Sequence, residues 1–255
     1  MRNKKLVVGN WKMFPETEKE AKEIFKKIKG SAVRLSGVQT VIVPPFVYIS
    51  ALASLSRGER CLLGAQDLAV GSGEEQTGSI GAEMIRNAGA RFVIVGHSER
   101  RALGETNEMI ASKVGVALKS GFQTILCFGE VERDESGAYL EELRVQITER
   151  ISKVEKGGYD RLILAYEPIW AVGEKSKRVA SSHDVHEISI FTKRTLIELL
   201  GKARAGKTSF IYGGSVDELN AVGFLEGGIA DGLLVGRASR KPDKFIRLLQ
   251  VVSQS

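Results

Sequence analysis

The sequence predicts an α/β fold in which eight parallel strands, each followed by a helix, close into a single (β/α)8 barrel. Three observations carry this. Eight short, apolar runs rich in β-branched residues punctuate the chain, and stretches with apolar residues returning every three or four positions separate them. The 255 residues also match the roughly 250 that one such barrel occupies.

In chain order the strand-like runs are Leu6 to Val8, Val41 to Val43, Cys61 to Ala65, Phe92 to Val95, Thr124 to Phe128, Leu162 to Ala165, Phe210 to Tyr212 and Gly232 to Val235. Helical periodicity predicts helices over Glu16 to Ile28, Thr106 to Lys119, Tyr139 to Lys153 and His183 to Leu200. Strands apolar on both faces imply a sheet buried on both sides, and parallel neighbours need crossover helices. Periodicity does not show closure, so a doubly wound open sheet is the alternative on pattern alone. No Pro-rich, Ser-rich or low-complexity linker divides the chain, which predicts one domain over residues 1–255.

Composition narrows the class of partner. Apolar residues make up 43% and charged residues 27%, as expected of a folded globular chain rather than a disordered one. The net charge of +6 is compatible with a small anionic substrate, but acids interleave with most of the basic clusters and no nucleic-acid module accompanies them, so no nucleic-acid partner is expected. No apolar run approaches the ~20 residues that span a bilayer, and Met1 to Lys5 precede only Leu6-Val7-Val8, which is no signal-peptide core. Cys61 and Cys127, the two cysteines, each sit in a strand-like run and read as buried free thiols. A protein of the reducing cytoplasm, without a membrane partner, is the expectation.

In a parallel barrel the chemistry collects where strands end. The first run leads into Gly9-Asn10-Trp11-Lys12, the fourth into Gly96-His97-Ser98-Glu99, the sixth into Tyr166-Glu167-Pro168 and the seventh into Gly213-Gly214-Ser215. A lysine, a histidine and a glutamate are thus sent from three strands to one mouth.

These strings, extended to Gly9-Asn10-Trp11-Lys12-Met13, Gly96-His97-Ser98-Glu99-Arg100-Arg101, Ala165-Tyr166-Glu167-Pro168-Ile169-Trp170-Ala171 and Tyr212-Gly213-Gly214-Ser215-Val216, resemble the signature motifs of the triosephosphate isomerase family, in that family's order. Leu103 to Asn107, Ile125 to Glu130 and Asp231 to Gly236 carry the resemblance over almost the whole chain. It implies a single TIM barrel that interconverts D-glyceraldehyde 3-phosphate and dihydroxyacetone phosphate, in glycolysis and gluconeogenesis, with neither cofactor nor metal. No glycine string reads as a nucleotide fingerprint.

Moving a proton between the carbons beside a carbonyl requires a base and an electrophile. This family is itself the standard illustration of a carboxylate base paired with a neutral imidazole. The resemblance implies Glu167 as base, His97 as electrophile and Lys12 as electrostatic catalyst and substrate anchor, with Asn10 and Glu99 orienting Lys12 and His97. On the residues alone, Glu167 reads equally as a solvated turn residue and His97 as a satisfied core histidine. A helix starting at Ser98 would disfavour a cation on the ring of His97.

For the phosphate, the resemblance implies backbone amides at Gly173, Ser215 and Gly236, with the following residue, Arg237, contributing to substrate binding. It also implies a homodimer through the loop Gly73 to Gly78. Several positions depart from the family's habit: Phe14 where Asn is frequent, Ser79 where a Glu often meets Arg100, Arg237 where Gly is common, Ile190 where an Arg is frequent, and the lid sequence Glu174 to Arg178. The altered lid and Arg237 leave a catalytically weak sugar-phosphate-binding homologue as one alternative function, against which the presence of Lys12, His97 and Glu167 argues.

Overall fold

The computed structural model describes residues 4–56, 58–71, 76–155, 157–171 and 178–255. Strand and helix alternate as β1 (Lys5–Asn10), α1 (Glu18–Ala32), β2 (Val38–Val43), α2 (Phe46–Ala53), β3 (Cys61–Ala65), α3 (Ala82–Asn87), β4 (Phe92–Val95), α4 (Ser98–Arg101) and α5 (Asn107–Lys119). The second half continues with β5 (Gln123–Phe128), α6 (Ala138–Arg150), β6 (Leu162–Tyr166), α7 (Ser182–Leu200), α8 (Lys202–Ala205), β7 (Ser209–Tyr212), β8 (Gly232–Val235) and α9 (Pro242–Gln254).

All eight strands run parallel in sequence order, and β1 pairs with β8 from Leu6↔Gly232 to Gly9↔Val235, which closes the sheet. This decides between the two architectures that periodicity left open. The barrel is closed, as predicted.

Successive side chains of a strand point to opposite faces, so each strand feeds two cores. Val8, Val41, Ile94, Ile125, Cys127, Ile163, Ala165, Ile211 and Leu234 fill the barrel interior. Their neighbours Val7, Ile42, Val93, Leu126, Leu164 and Leu233 face outward and pack beneath the helices with residues such as Phe25, Ile28, Phe245 and Leu248. Each fully buried Leu, Ile or Phe contributes about 1.5–3 kcal/mol of transfer free energy. Cys61 and Cys127 are buried and free, and burial pushes the Cys61 thiol up to about 12.

Element ends differ from the sequence expectation by a few residues, for local reasons. The Thr17 hydroxyl accepts from the Glu20 N–H at 3.2 Å, so α1 starts at Glu18 rather than Glu16. At its other end α1 runs past Ile28 to Ala32, which still packs in the core. Thr106 is likewise the cap of α5 and not its first residue. Ser181 and Asp184 form a reciprocal capping box, which starts α7 one residue earlier than expected. Strand β1 extends to Asn10, which registers with Val43 of β2.

Candidate active site

The inward phase of the strands aims the polar residues. Val8 points into the barrel, and Asn10, two residues on, keeps that direction at the end of β1. Ile163 and Ala165 set the same phase in β6, and it reaches Glu167, whose N–H still donates to the Phe128 carbonyl at 2.8 Å. Asn10, His97 and Glu167 are all buried, 5%, 6% and 2% exposed, so three polar groups close the top of an otherwise apolar barrel interior.

His97 sits one residue beyond Gly96 at the end of β4, and α4 begins at the next residue. Its Nδ1 accepts from the Glu99 N–H at 3.2 Å. A nitrogen that accepts carries no proton, so this ring is the neutral tautomer with its hydrogen on Nε2. The Nε2 atom lies 3.4 Å from Glu167 Oε1. The second carboxylate oxygen of Glu167 is buried without a hydrogen-bond partner. Beneath Glu167, burial first and then the charge of Glu167 push the Cys127 thiol well above its ordinary value.

Lys12 is the one described non-glycine residue with a positive φ, 56°. A lysine in the left-handed region costs about 1 kcal/mol or more and persists only where its surroundings hold it. They do. Its N–H donates to Asn10 Oδ1 at 3.0 Å, its carbonyl accepts from Gln66 Nε2 at 2.8 Å, and its ammonium meets Glu99 Oε1 at 2.6 Å. Burial raises the Glu99 carboxyl, but the bond to Lys12 together with the surrounding positive charge outweighs it and the group lies below its ordinary value. Lys12 is a quarter exposed, with Glu99 of its own chain as partner.

Asn10, Lys12, His97, Glu99 and Glu167 therefore meet as expected, and Ser215, Gly236 and Arg237 line the same opening. The Ser215 hydroxyl donates to the Ala171 carbonyl at 3.0 Å, and Arg237 opens a short 3₁₀ turn, Arg237–Arg240. Gly173, the lid positions Glu174 to Lys177 and, in the loop expected to join a dimer, Gly73 to Glu75 lie outside the described residues. Arg178, the last lid position, bonds Asp184 at 2.7 Å and lies over the Trp170 ring at 4.2 Å. Arg100 pairs within its own chain, with Asp67 at 3.2 Å and Glu105 at 3.0 Å. Ile190 is exposed on α7.

Two supporting residues had no role assigned from the sequence. Glu130 is fully buried and accepts from the Tyr166 hydroxyl and the Trp170 indole, both at 2.8 Å, so it braces the segments on either side of Glu167. Gln66 ties the end of β2 to Lys12 through the Val43 and Lys12 carbonyls. The polar residue after an apolar run was the available signal at both positions.

Fold and site together define the class: a (β/α)8-barrel enzyme with acid–base groups at the C-terminal mouth of its strands. The family model described as triosephosphate isomerase matches residues 5–252. Curated relatives named triosephosphate isomerase include those of Flavobacterium johnsoniae, 34% identical over 98% of this chain and 99% of the relative, and Chlamydia trachomatis serovar D, 37% identical over 98% and 90%. That of Marinobacter nauticus is 36% identical over 96% of both chains. The chain belongs to the triosephosphate isomerase family. No helix among the described residues is long and apolar enough to cross a membrane.

Proposed function

We propose that this chain is one catalytic domain that interconverts D-glyceraldehyde 3-phosphate and dihydroxyacetone phosphate through an enediolate, the step shared by glycolysis and gluconeogenesis. The approach of His97 Nε2 to Glu167 Oε1 at 3.4 Å is the observation that carries the reading. Side by side at one opening, the two groups can face a substrate carbon and the neighbouring carbonyl oxygen at the same time. The Glu167 carboxylate takes the proton from the carbon beside the carbonyl, and the electron pair of that C–H bond moves to form the enediolate. His97 donates its Nε2 hydrogen bond to the oxygen on which charge develops, and the Lys12 ammonium stabilises that charge and the phosphate. As Glu167 returns a proton to the neighbouring carbon, His97 Nε2 gives its proton to the first oxygen and takes the hydroxyl proton of the second, which becomes the new carbonyl, so base and acid at carbon are one group.

Asn10 and Glu99 act by position, through their bonds to Lys12 and His97. The turn amides at Gly173, Ser215 and Gly236 take the phosphate, with Arg237 beside them, and closure of the 173–178 segment excludes water, a role for which this family's lid is a standard example. The active form is a cytoplasmic homodimer joined through the Gly73 to Gly78 loop. Sedimentation of the purified protein checks this; a monomer at assay concentrations would overturn it.

A coupled assay of glyceraldehyde 3-phosphate consumption tests the function itself. Turnover with substrate alone is the expected result, and absence of turnover at high protein concentration would overturn the reading.

A further inference from the structure

A basic rim continues from the catalytic mouth into the start of α9. Arg237, Arg240, Lys241 and Lys244 line the same opening as Lys12 and Glu167. The acids of this region bond to other groups, although the charge of Lys244 also reaches Glu218. Asp243 pairs with Lys27 at 2.7 Å, Glu218 with Arg247 at 3.0 Å, and Asp217 Oδ1 accepts from the Leu219 and Asn220 backbone at 2.9 and 3.2 Å. Among the described residues no carboxylate forms an ion pair with Arg240, Lys241 or Lys244.

These cations are not equally loose. The Arg240 guanidinium lies 5.7 Å from the centroid of the Phe14 ring, a cation–π contact that fixes a half-buried side chain at the rim. Its charge also reaches the mouth, since it is one of those that hold the Glu99 carboxyl down. Lys241, the extended cap residue before α9, and Lys244, in its first turn, both line the opening and are both exposed. Like charges gathered around one concave opening repel one another, and an anion among them relieves that repulsion.

We propose that Arg240, Lys241 and Lys244 form a second anion subsite beside the phosphate turn, so that the mouth takes small ligands carrying two anionic groups. The inference rests on the proposed phosphate site, which holds the first group; the rim holds the second. Both a phosphoanhydride and a bisphosphorylated three-carbon chain have this chemistry. Either competes with the substrate because it occupies the catalytic mouth.

The test is competitive inhibition by orthophosphate, pyrophosphate and propane-1,3-diol bisphosphate, at an ionic strength held near ~0.1 M, where screening acts over about 10 Å. For the parent, at least one of the two-headed anions inhibits about tenfold or more tightly than orthophosphate, a preference worth ~1.4 kcal/mol. Which of the two gains more separates the phosphoanhydride from the bisphosphate ester. In the double variant Arg240→Leu/Lys244→Ala this preference falls to about twofold or less, while inhibition by orthophosphate changes little. A preference unchanged in the double variant, or absent in the parent, would overturn the subsite. Calorimetric titration with pyrophosphate reads the same site without turnover. Failure of the catalytic reading would abolish turnover and leave the calorimetric loss in the double variant intact; failure of the subsite would do the reverse.

Discussion

His97 Nε2 and Glu167 Oε1 lie 3.4 Å apart at the ends of two strands that are not neighbours in the barrel, and both side chains are almost completely buried. The acceptor role of His97 Nδ1 fixes which nitrogen faces the carboxylate, so one short backbone contact at the start of α4 sets the polarity of the pair. Chemistry at this position follows from strand phase and one tautomer.

Replacement of Glu167 by Gln keeps shape and removes the base. Turnover is expected to fall by ~10²-fold or more, with the affinity for a phosphate-bearing enediolate mimic such as 2-phosphoglycolate within about threefold of the parent. Steady-state kinetics together with calorimetry check this. Turnover within a factor of two of the parent would remove Glu167 from the role of base.

Lys12→Met removes the cation that meets both phosphate and enediolate. Both KM and kcat are expected to worsen, with kcat/KM down ~10²-fold or more. The strained backbone at Lys12 is held by Asn10 and Gln66 through main-chain groups, so the variant remains folded by circular dichroism. Unchanged kinetic constants would place Lys12 outside the site.

Two glycines beside Glu167 have opposite expected outcomes. A Cβ at Gly213 would come within 2.8 Å of the Glu167 Cγ, a side-chain atom that can shift. Gly213→Ala is expected to fold while losing ~10²-fold in kcat, because displacement of a catalytic group by about 1 Å is enough for that. At Gly129 the added Cβ would lie 2.0 Å from the Glu167 carbonyl oxygen, which belongs to the backbone. Gly129→Ala is expected to cost about 3 kcal/mol of stability. Denaturant melts beside kinetics distinguish the two, and equal behaviour of the variants would contradict the packing argument.

Most of the barrel was legible in the sequence because strand phase and helix period are local. The eight apolar runs each lie within a strand, and the inward step from Ile163 through Ala165 to Glu167 is a matter of counting by twos. Closure was predicted from the count of eight units at this chain length and not from periodicity, since the pairing that makes it, Leu6 with Gly232, is distant in sequence. The ends of helices escaped where a side chain, such as that of Thr17, acts as a cap rather than as a helical residue. Of the site, the strand-end residues were readable through their motifs. The bracing by Glu130 and Gln66 was not, because a polar side chain reaching across elements leaves no period to count.

Asp184 makes the anchoring of Arg178 depend on pH. Burial raises its carboxyl, but the Arg178 bond and the Ser181 contacts outweigh this and hold it well below the ordinary value. A depressed folded-state value contributes stability above the unfolded value near ~3.9 and loses it as pH falls toward the folded value. Asp184→Asn is therefore expected to lower stability at neutral pH by about 1 kcal/mol or more and to flatten the loss of stability below about pH 4. Thermal melts of both proteins from neutral to acid pH check it. Parallel curves throughout would contradict the assignment.

The central claim is proton transfer through an enediolate at the Glu167–His97 pair, and solvent hydrogen exchange reads it most directly. Dihydroxyacetone phosphate incubated with the protein in deuterium oxide, followed by proton NMR, is expected to give glyceraldehyde 3-phosphate with deuterium at the carbon beside the carbonyl. Glu167→Gln should slow this by ~10²-fold or more. Isomer that carries at that carbon only hydrogen moved from the neighbouring carbon, with no deuterium, or an equal rate in the variant, would contradict the account.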